Sequence, residues 1–162
     1  MSAGKKTVTD AVFLREFQQK LREQIPLSQH MGFVQFNHDG ESFSIEADLA
    51  PNHNDKGTAF AGSLSATANL CGWSLITLLL ENLPQAYDVV IRDSRLEYFL
   101  PVTQNYTVTA TFAESVVLDV FVEKLKQRGK ARMDVVVSVE ENQQLCFRLT
   151  GAYVALEKKD WL

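Results

Sequence analysis

The chain has few of the residues that build disulfide, metal or nucleic-acid sites. Its 162 residues include 16 Lys and Arg against 20 Asp and Glu, and the net charge of −4 argues against a general nucleic-acid binder. The two cysteines, Cys71 and Cys146, are far apart in apolar surroundings, which favours reduced buried thiols over a disulfide framework. A catalytic thiol would need a histidine partner, and the three histidines are His30, His38 and His53. We expect neither a metal site nor a cofactor.

Long apolar runs are also scarce. The first ten residues lack the apolar core of a signal peptide, which favours a cytoplasmic location. Residues 58–80 carry no charge and are long enough to cross a bilayer. However, six Ser, Thr and Asn side chains and two glycines between residues 61 and 80 would make insertion unfavourable. We therefore expect a helix buried in a protein core and no contact with a membrane.

In the rest of the chain, apolar residues at helical spacing predict helices, and alternating apolar and polar residues predict strands. Residues 9–25 predict an amphipathic helix that Thr7 or Thr9 would cap and Pro26 would end. Residues 115–128 combine helical spacing with β-branched side chains, and we favour a short helix over a strand. Strands are expected at residues 31–37, 41–49, 89–100, 104–112, 131–139 and 145–155, with turns at 38–40 and 140–143 and a bend near 93–94.

A polar, turn-forming cluster precedes the longest predicted helix. Residues 60–81 are apolar on nearly all sides, so this helix belongs inside the protein. The first N–H groups of a helix have no partner within it, and the helix dipole favours negative charge at that end. The junction is therefore a candidate site where an anionic oxygen or a water molecule is held for acyl chemistry.

The order of predicted elements restricts the architecture. One helix and two strands come first, followed by the long buried helix and about four antiparallel strands. This order predicts an α+β fold in which one curved antiparallel sheet wraps around a central helix, with an extra N-terminal helix. Such a sheet leaves edge strands that a second subunit could pair with.

The start of the central helix carries a short motif, Asn54-x-x-Gly57-x-x-Phe60-Ala61-Gly62. Together with the element order, it resembles the turn that leads into the central helix of the hotdog-fold acyl-CoA thioesterase superfamily. The resemblance implies a hotdog fold and hydrolysis of an acyl-CoA or acyl-carrier thioester. It also implies a homo-oligomer, either a dimer or a dimer of dimers, because sites on this fold usually form between subunits.

More narrowly, residues 52–73 are similar to the thioesterase domain that follows an acetyltransferase domain in some bacterial proteins. The resemblance covers residues 28–157, which we take as the hotdog domain, and leaves residues 1–27 as an N-terminal helical extension. Hydroxyacyl-carrier dehydratases share the fold, but their His-x-x-x-Pro-Gly type of signature is missing from this sequence.

The resemblance also implies binding roles at the helix start. Backbone N–H groups of Ala61 and Gly62 would bind the thioester carbonyl, although Gly62 would equally suit close packing of the helix on the sheet. Gly57 would form the turn, and Phe60 would line the thioester pocket or fill the core. Arg92 would meet the phosphates of coenzyme A, unless it is ordinary solvated charge.

The catalytic carboxylate is where the chain departs from the family. Family members place an acidic residue at the position of Asn54 or of Asn69, and an amide cannot act as a general base. Asp55 is the nearest carboxylate, and it would be either the base or a charge favoured by the helix dipole. His53 is a weaker alternative. Asn69, on an apolar helix face, must be hydrogen-bonded either in the site or to the surrounding structure.

Two classes of function therefore remain open. The first is an enzyme that hydrolyses an acyl-CoA-type thioester, in which either Asp55 or a water molecule held by the Asn54 and Asn69 amides delivers the nucleophile. The second is a domain that holds acyl-CoA or an acyl-carrier protein without turnover, which the two amides favour.

Overall fold

The computed structural model describes residues 7–113 and 118–158. Within these residues the predicted order of elements is confirmed. Two short 3₁₀ turns, Pro26–His30 and Ala50–Asn52, follow the first helix and the second strand. The helices and strands are α1 (Ala11–Gln24), β1 (Phe33–His38), β2 (Ser42–Ala47), α2 (Ala61–Leu80), β3 (Tyr87–Tyr98), β4 (Tyr106–Phe112), α3 (Leu118–Arg128), β5 (Lys130–Glu141) and β6 (Gln144–Glu157).

The strands form one antiparallel sheet in the order β1-β2-β4-β5-β6-β3. Helix α2 contacts five of the six strands, β2 to β6, and a single helix can do so only because the sheet curves around it. The predicted α+β architecture, with a curved sheet around a long central helix and an extra N-terminal helix, is confirmed. Strands β1 and β3 are the two edges of the sheet.

Helix α2 is the centre of the core. Its length and apolar composition would suffice to cross a membrane, but 56% of its most apolar 18-residue window is buried inside the protein. The side chain of Cys71 is fully buried, and the carbonyl oxygens of Phe43 and Val108, each 3.4 Å from its Sγ, share its single S–H donor. The indole N–H of Trp73 donates to the Val89 carbonyl oxygen at 3.0 Å. These contacts tie the helix to both halves of the sheet.

Helix α1 lies beside β1 and packs against the same core. Asp10 caps it by accepting from the N–H of Val12 at 2.8 Å, so the expectation that Thr7 or Thr9 caps this helix is wrong. The positive end of the helix dipole also stabilises a carboxylate at this position. Phe17 stacks on Trp73 with ring centroids 6.3 Å apart. The predicted apolar stripe of this helix is therefore part of the core.

The ambiguous segment before β5 is a helix where the structure describes it. Helix α3 buries Phe121 and Leu125, and Gly129, which follows its last residue, has a φ of +65°. A left-handed residue at this point is a common helix end, and glycine adopts it without steric cost. Residues 114–117, the first part of the predicted helix, lie outside the described residues.

Candidate active site

The loop between β2 and α2 is anchored by one buried amide. Asn52 is 2% exposed, and its side-chain nitrogen donates to the carbonyl oxygens of Met31 and Asp48, each at 2.8 Å. Pro51 precedes it and packs against Gly32, where an added Cβ would lie 2.5 Å from the proline ring. This end of the loop is therefore fixed to the beginning of β1 and the end of β2.

Asn54 organises the next turn. Its side-chain oxygen accepts from the N–H groups of Lys56 at 2.8 Å and Thr58 at 3.2 Å, and its side-chain nitrogen donates to the Thr58 hydroxyl at 3.0 Å. Gly57 has a φ of +75° with open space around its Cα, so the backbone conformation is the reason for glycine here. The Asn54 side chain thus stabilises the turn through hydrogen bonds to residues two and four positions along the chain.

The first turn of α2 presents free backbone donors. The N–H groups of Ala61, Gly62 and Ser63 have no acceptor within the described part of the chain. The N-cap residue is Phe60, which has no side-chain oxygen to occupy them, although Ser, Thr, Asp or Asn at this position would stabilise the helix by about 1 kcal/mol. Ala61 and Gly62 are exposed, so these donors face the outside at the positive end of the dipole.

Phe60 lies over this helix end rather than in the core. Its side chain is 54% exposed, so Phe60 does not fill the core, which was one of the two alternatives considered from the sequence. An added Cβ on Gly62 would lie 2.3 Å from the Phe60 ring. Gly62 therefore makes room for this ring, and the sheet is not among its nearest neighbours, in contrast to the packing role considered from the sequence.

A group of exposed apolar side chains borders the same helix end. We call Phe60, Tyr98, Phe99 and Leu100 the aromatic patch; all four are at least 44% exposed. The Tyr98 hydroxyl donates to the carbonyl oxygen of Ala61 at 3.3 Å, which joins the end of β3 to the start of α2. The sequence pattern placed Phe60 at the helix start and the other three only at the end of a strand. The contact between Tyr98 and Ala61 arises from the tertiary fold.

The predicted base, Asp55, lies in solvent. Its side chain is 79% exposed and forms an ion pair with the Lys56 ammonium group at 2.8 Å. The ring of His53, also exposed, contacts the carbonyl oxygen of Asn54 at 2.9 Å through Nδ1. Neither side chain is hydrogen-bonded to the start of α2. The assignment of Asp55 as the base therefore stays a prediction.

Asn69 is half-buried two turns further along α2. Its side-chain nitrogen donates to the Ser65 carbonyl oxygen at 2.8 Å, and its own carbonyl oxygen accepts from the Tyr153 hydroxyl at 3.0 Å. The rise of an α-helix puts Asn69 about 12 Å from Ala61 along the axis. The requirement for a hydrogen bond is confirmed, and the partner is the preceding turn of its own helix.

Arg92 lies away from the helix start, at a bulge of the edge strand β3. The register with β6 shifts between Ile91 and Asp93, where the sequence predicted a bend a residue or two later. The Arg92 side chain is 66% exposed, and its nearest acid is Asp93 at 3.6 Å. It makes no hydrogen bond or ion pair with residues 54–62, so its role toward phosphates stays a prediction.

Neither cysteine has the surroundings of a nucleophile. Burial raises the pKa of the Cys71 thiol far above its ordinary value, and burial also raises the pKa of Cys146. A raised pKa keeps the group in the unreactive thiol form. Both are free thiols, as the sequence predicted.

Comparison with known proteins gives the family. A family model described as "Putative thioesterase (yiiD_Cterm)" matches residues 14–157, nearly the whole chain. The chain belongs to this thioesterase family. The match begins within α1, so it includes most of the helix that the sequence assigned to a separate extension.

Solved structures agree with the assignment of this thioesterase-family member to the hotdog fold. A protein of unknown function from Chlorobaculum tepidum is 25% identical, with a TM-score of 0.84 over 94% of this chain and 99% of that one. A "putative thioesterase" from Shewanella oneidensis is 29% identical, with a TM-score of 0.77 over 88% of this chain and 96% of that one. Zebrafish thioesterase superfamily member 2 is 11% identical, with a TM-score of 0.65 over 94% of this chain and 99% of that one, a likeness of fold alone.

Proposed function

We propose that the protein hydrolyses acyl-CoA-type thioesters at the N-terminus of α2. The observation that carries this proposal is the set of three unpaired N–H donors, on Ala61, Gly62 and Ser63, at the positive end of a 20-residue helix. A thioester carbonyl oxygen bound to them gains its strongest hydrogen bonds when it becomes an oxyanion. The thioesterase family supplies the class of substrate, a small-molecule thioester.

The reaction needs only water and a base. Water attacks the thioester carbonyl carbon while the base accepts one of its protons, and the carbonyl electron pair moves onto the oxygen held by the helix. The C–S bond then breaks, the oxygen re-forms the carbonyl, and the leaving sulfur receives the proton. We assign Asp55 as the base because it is the carboxylate nearest the helix start along the chain. The role requires its carboxylate to leave Lys56 and turn toward Ala61.

A second copy of the chain would complete this site. The aromatic patch is exposed beside the free N–H donors, and β3 is an edge strand with Val90 and Ile91 also exposed. Pairing along β3 would cover these apolar side chains and exclude water from the helix start. Lower water content would strengthen the hydrogen bonds to the oxyanion. The protein is accordingly proposed to act as a dimer or a dimer of dimers.

The experiment that tests the function is the release of free thiol from a panel of acyl-CoAs, followed with a thiol reagent. We expect steady release by the wild-type protein and a loss of at least about 100-fold in kcat for Asp55→Ala, the lower end of the range for a general base. Lys56→Ala is the matched control, because it frees the Asp55 carboxylate without removing it. Release that is unaffected by Asp55→Ala would reject this base and leave the hydrolysis intact.

A binding domain without turnover is the second candidate. It is favoured by the engagement of the Asn54 and Asn69 amides in local hydrogen bonds and by the 79% exposure of Asp55. In the same panel, tight binding of an acyl-CoA without thiol release would support it. Parallel assays with acyl-carrier protein and with acyl-CoA of the same chain length would decide between the two thioester carriers.

A further inference from the structure

The buried amide of Asn52 is unusual among the residues that lead to the helix start. His53, Asp55, Lys56 and Gly57 are exposed, as expected for a polar loop, whereas Asn52 is 2% exposed. A buried side-chain amide costs about 1–3 kcal/mol unless its polar atoms are paired. Both N–H bonds of the Asn52 side-chain nitrogen are paired.

These two bonds hold the loop to the sheet. They join Asn52 to the carbonyl oxygens of Met31, just before β1, and of Asp48, just after β2. The N–H of Asp48 in turn donates to the Gly32 carbonyl oxygen at 2.9 Å. Both acceptors of the Asn52 amide are thus main-chain atoms of segments that the core keeps in place.

The main chain of Asn52 carries this anchor to the proposed oxyanion site. Its carbonyl oxygen accepts from the N–H of Phe60 at 2.7 Å, and the preceding N–H, that of Ala59, donates to the Val102 carbonyl oxygen at 2.8 Å. The N–H of Phe60 is therefore the last paired donor before the free donors that begin at Ala61. The position of the Asn52 carbonyl fixes the peptide from which α2 starts.

We propose that Asn52 is a positioning residue for the carbonyl-binding N–H groups of Ala61 and Gly62. The inference rests on the proposed function, since it assigns a role at that site. Without the side-chain amide, the carbonyl oxygens of Met31 and Asp48 lose their donor and the loop is free to shift against the sheet. A displacement of about 1 Å at the reacting atoms costs about 10²-fold in rate. Asn52 does not touch the substrate and acts through Phe60.

The test compares Asn52→Ala with a matched control, Asn105→Ala. Asn105 is an exposed amide that holds only the beginning of this loop, through the Asp48 carboxylate at 2.8 Å and the Leu49 N–H at 2.9 Å, and it has no hydrogen bond to residues 52–60. We expect kcat of Asn52→Ala to fall about 10- to 100-fold with KM changed less than about threefold. Asn105→Ala should retain kcat within about twofold.

An infrared measurement separates positioning from loss of structure. A methylene-bridged ketone analogue of acyl-CoA resists hydrolysis, and its carbonyl stretching frequency should fall on binding to the wild-type protein because the helix N–H groups polarise it. This fall should be smaller in Asn52→Ala and unchanged in Asn105→Ala. Asn52→Ser, whose hydroxyl can donate to one of the two carbonyls, should give an intermediate frequency and an intermediate kcat.

The outcomes below reject Asn52 as a positioning residue or separate its role from the proposed function. Unchanged kcat and unchanged carbonyl frequency in Asn52→Ala would overturn the inference, and so would a reduced kcat with the wild-type frequency. If neither Asn52→Ala nor Asn52→Ser folds, judged by circular dichroism, Asn52 is a stability residue and the inference is rejected. If the wild-type protein releases no thiol from any acyl-CoA, the proposed function fails, and the frequency comparison alone decides the role of Asn52.

Discussion

At the scale of single residues, amides rather than charges hold the candidate site. Asn52 and Asn54 each use their side chains as donors and fix two parts of one loop, and Asn69 bonds back to the preceding helical turn. An amide can donate and accept at once, so it can hold a loop by several bonds without the desolvation cost of a buried charge. The charged residues nearby, Asp55 and Lys56, pair with each other in solvent.

The carboxylate of Asp39 has a structural role in the β1–β2 turn. Asp39 accepts from the N–H groups of Ser42 at 2.6 Å and Glu41 at 2.9 Å and from the Ser42 hydroxyl at 2.8 Å. The hydrogen bond from the Ser42 backbone is the largest cause that lowers the pKa of Asp39 from 3.8 to about 2. Because folding lowers this pKa, the turn is stabilised at pH above 3.8, and the stabilisation is lost as the pH falls through about 2.

We therefore predict that an NMR titration of the Asp39 carboxyl carbon gives a pKa of about 2 in the folded protein. Ser42→Ala removes one of the three donors and should raise this pKa part of the way toward 3.8, while the two backbone donors remain. A wild-type value near 3.8 would contradict the hydrogen-bond pattern of this turn.

At the scale of elements, the packing of α2 on β6 depends on one small residue. The Tyr153 side chain is fully buried and lies against Gly72, and its hydroxyl donates to the Asn69 carbonyl oxygen at 3.0 Å. An added Cβ on Gly72 would lie 2.3 Å from the Tyr153 hydroxyl oxygen. Helix and strand therefore approach this closely only because the helix has no side chain at this position.

We predict that Gly72→Ala lowers the free energy of unfolding by about 1–3 kcal/mol, the usual cost of overpacking a core. Gly62→Ala is the matched control for stability. Its added Cβ would also lie 2.3 Å from an aromatic ring, but that ring belongs to Phe60, which is 54% exposed and can turn away. Urea unfolding followed by circular dichroism measures both. Equal losses in the two variants would show that Tyr153 is as free to move as Phe60.

At the scale of the whole molecule, the two edges of the sheet differ. Strand β3 is 12 residues long, ends beside the aromatic patch and presents Val90 and Ile91 to solvent. Strand β1 is six residues long, and α1 packs beside it. The exposed apolar side chains at β3 are the surface that a second copy would bury in the proposed dimer.

We predict that Val90→Lys weakens self-association, with the dimer dissociation constant raised at least about tenfold, because a lysine side chain would have to be desolvated in the interface. Analytical ultracentrifugation over a range of protein concentrations measures this constant. Val34→Lys is the control, since Val34 is 56% exposed on the opposite edge strand and should leave the constant unchanged. A monomeric wild-type protein, or equal effects of the two substitutions, would reject pairing along β3.

The sequence predicted the elements well because their signals are local. Alternation in β2 and β5 places Phe43, Ile45, Val135 and Val137 in the core, and these side chains are fully buried. The cap of α1 was missed because Thr7, Thr9 and the actual cap Asp10 are all good capping residues, and spacing alone does not separate them. The junction before α2 stays a predicted site. The sequence did not show that Tyr98 lies beside it, because contact between the end of β3 and the start of α2 is not a local property.

The sequence by itself determined the type and order of the elements, the apolar character of the central helix and the turn that precedes it. These depend on hydrophobic period, turn residues and helix ends, all of which act over a few residues. The tertiary structure decided which groups meet at the helix start. Asn52 bonds to Met31 across 21 positions, and Tyr98 bonds to Ala61 across 37. Such contacts form only when the sheet closes around the helix, so the surroundings of the free N–H donors are a product of the fold.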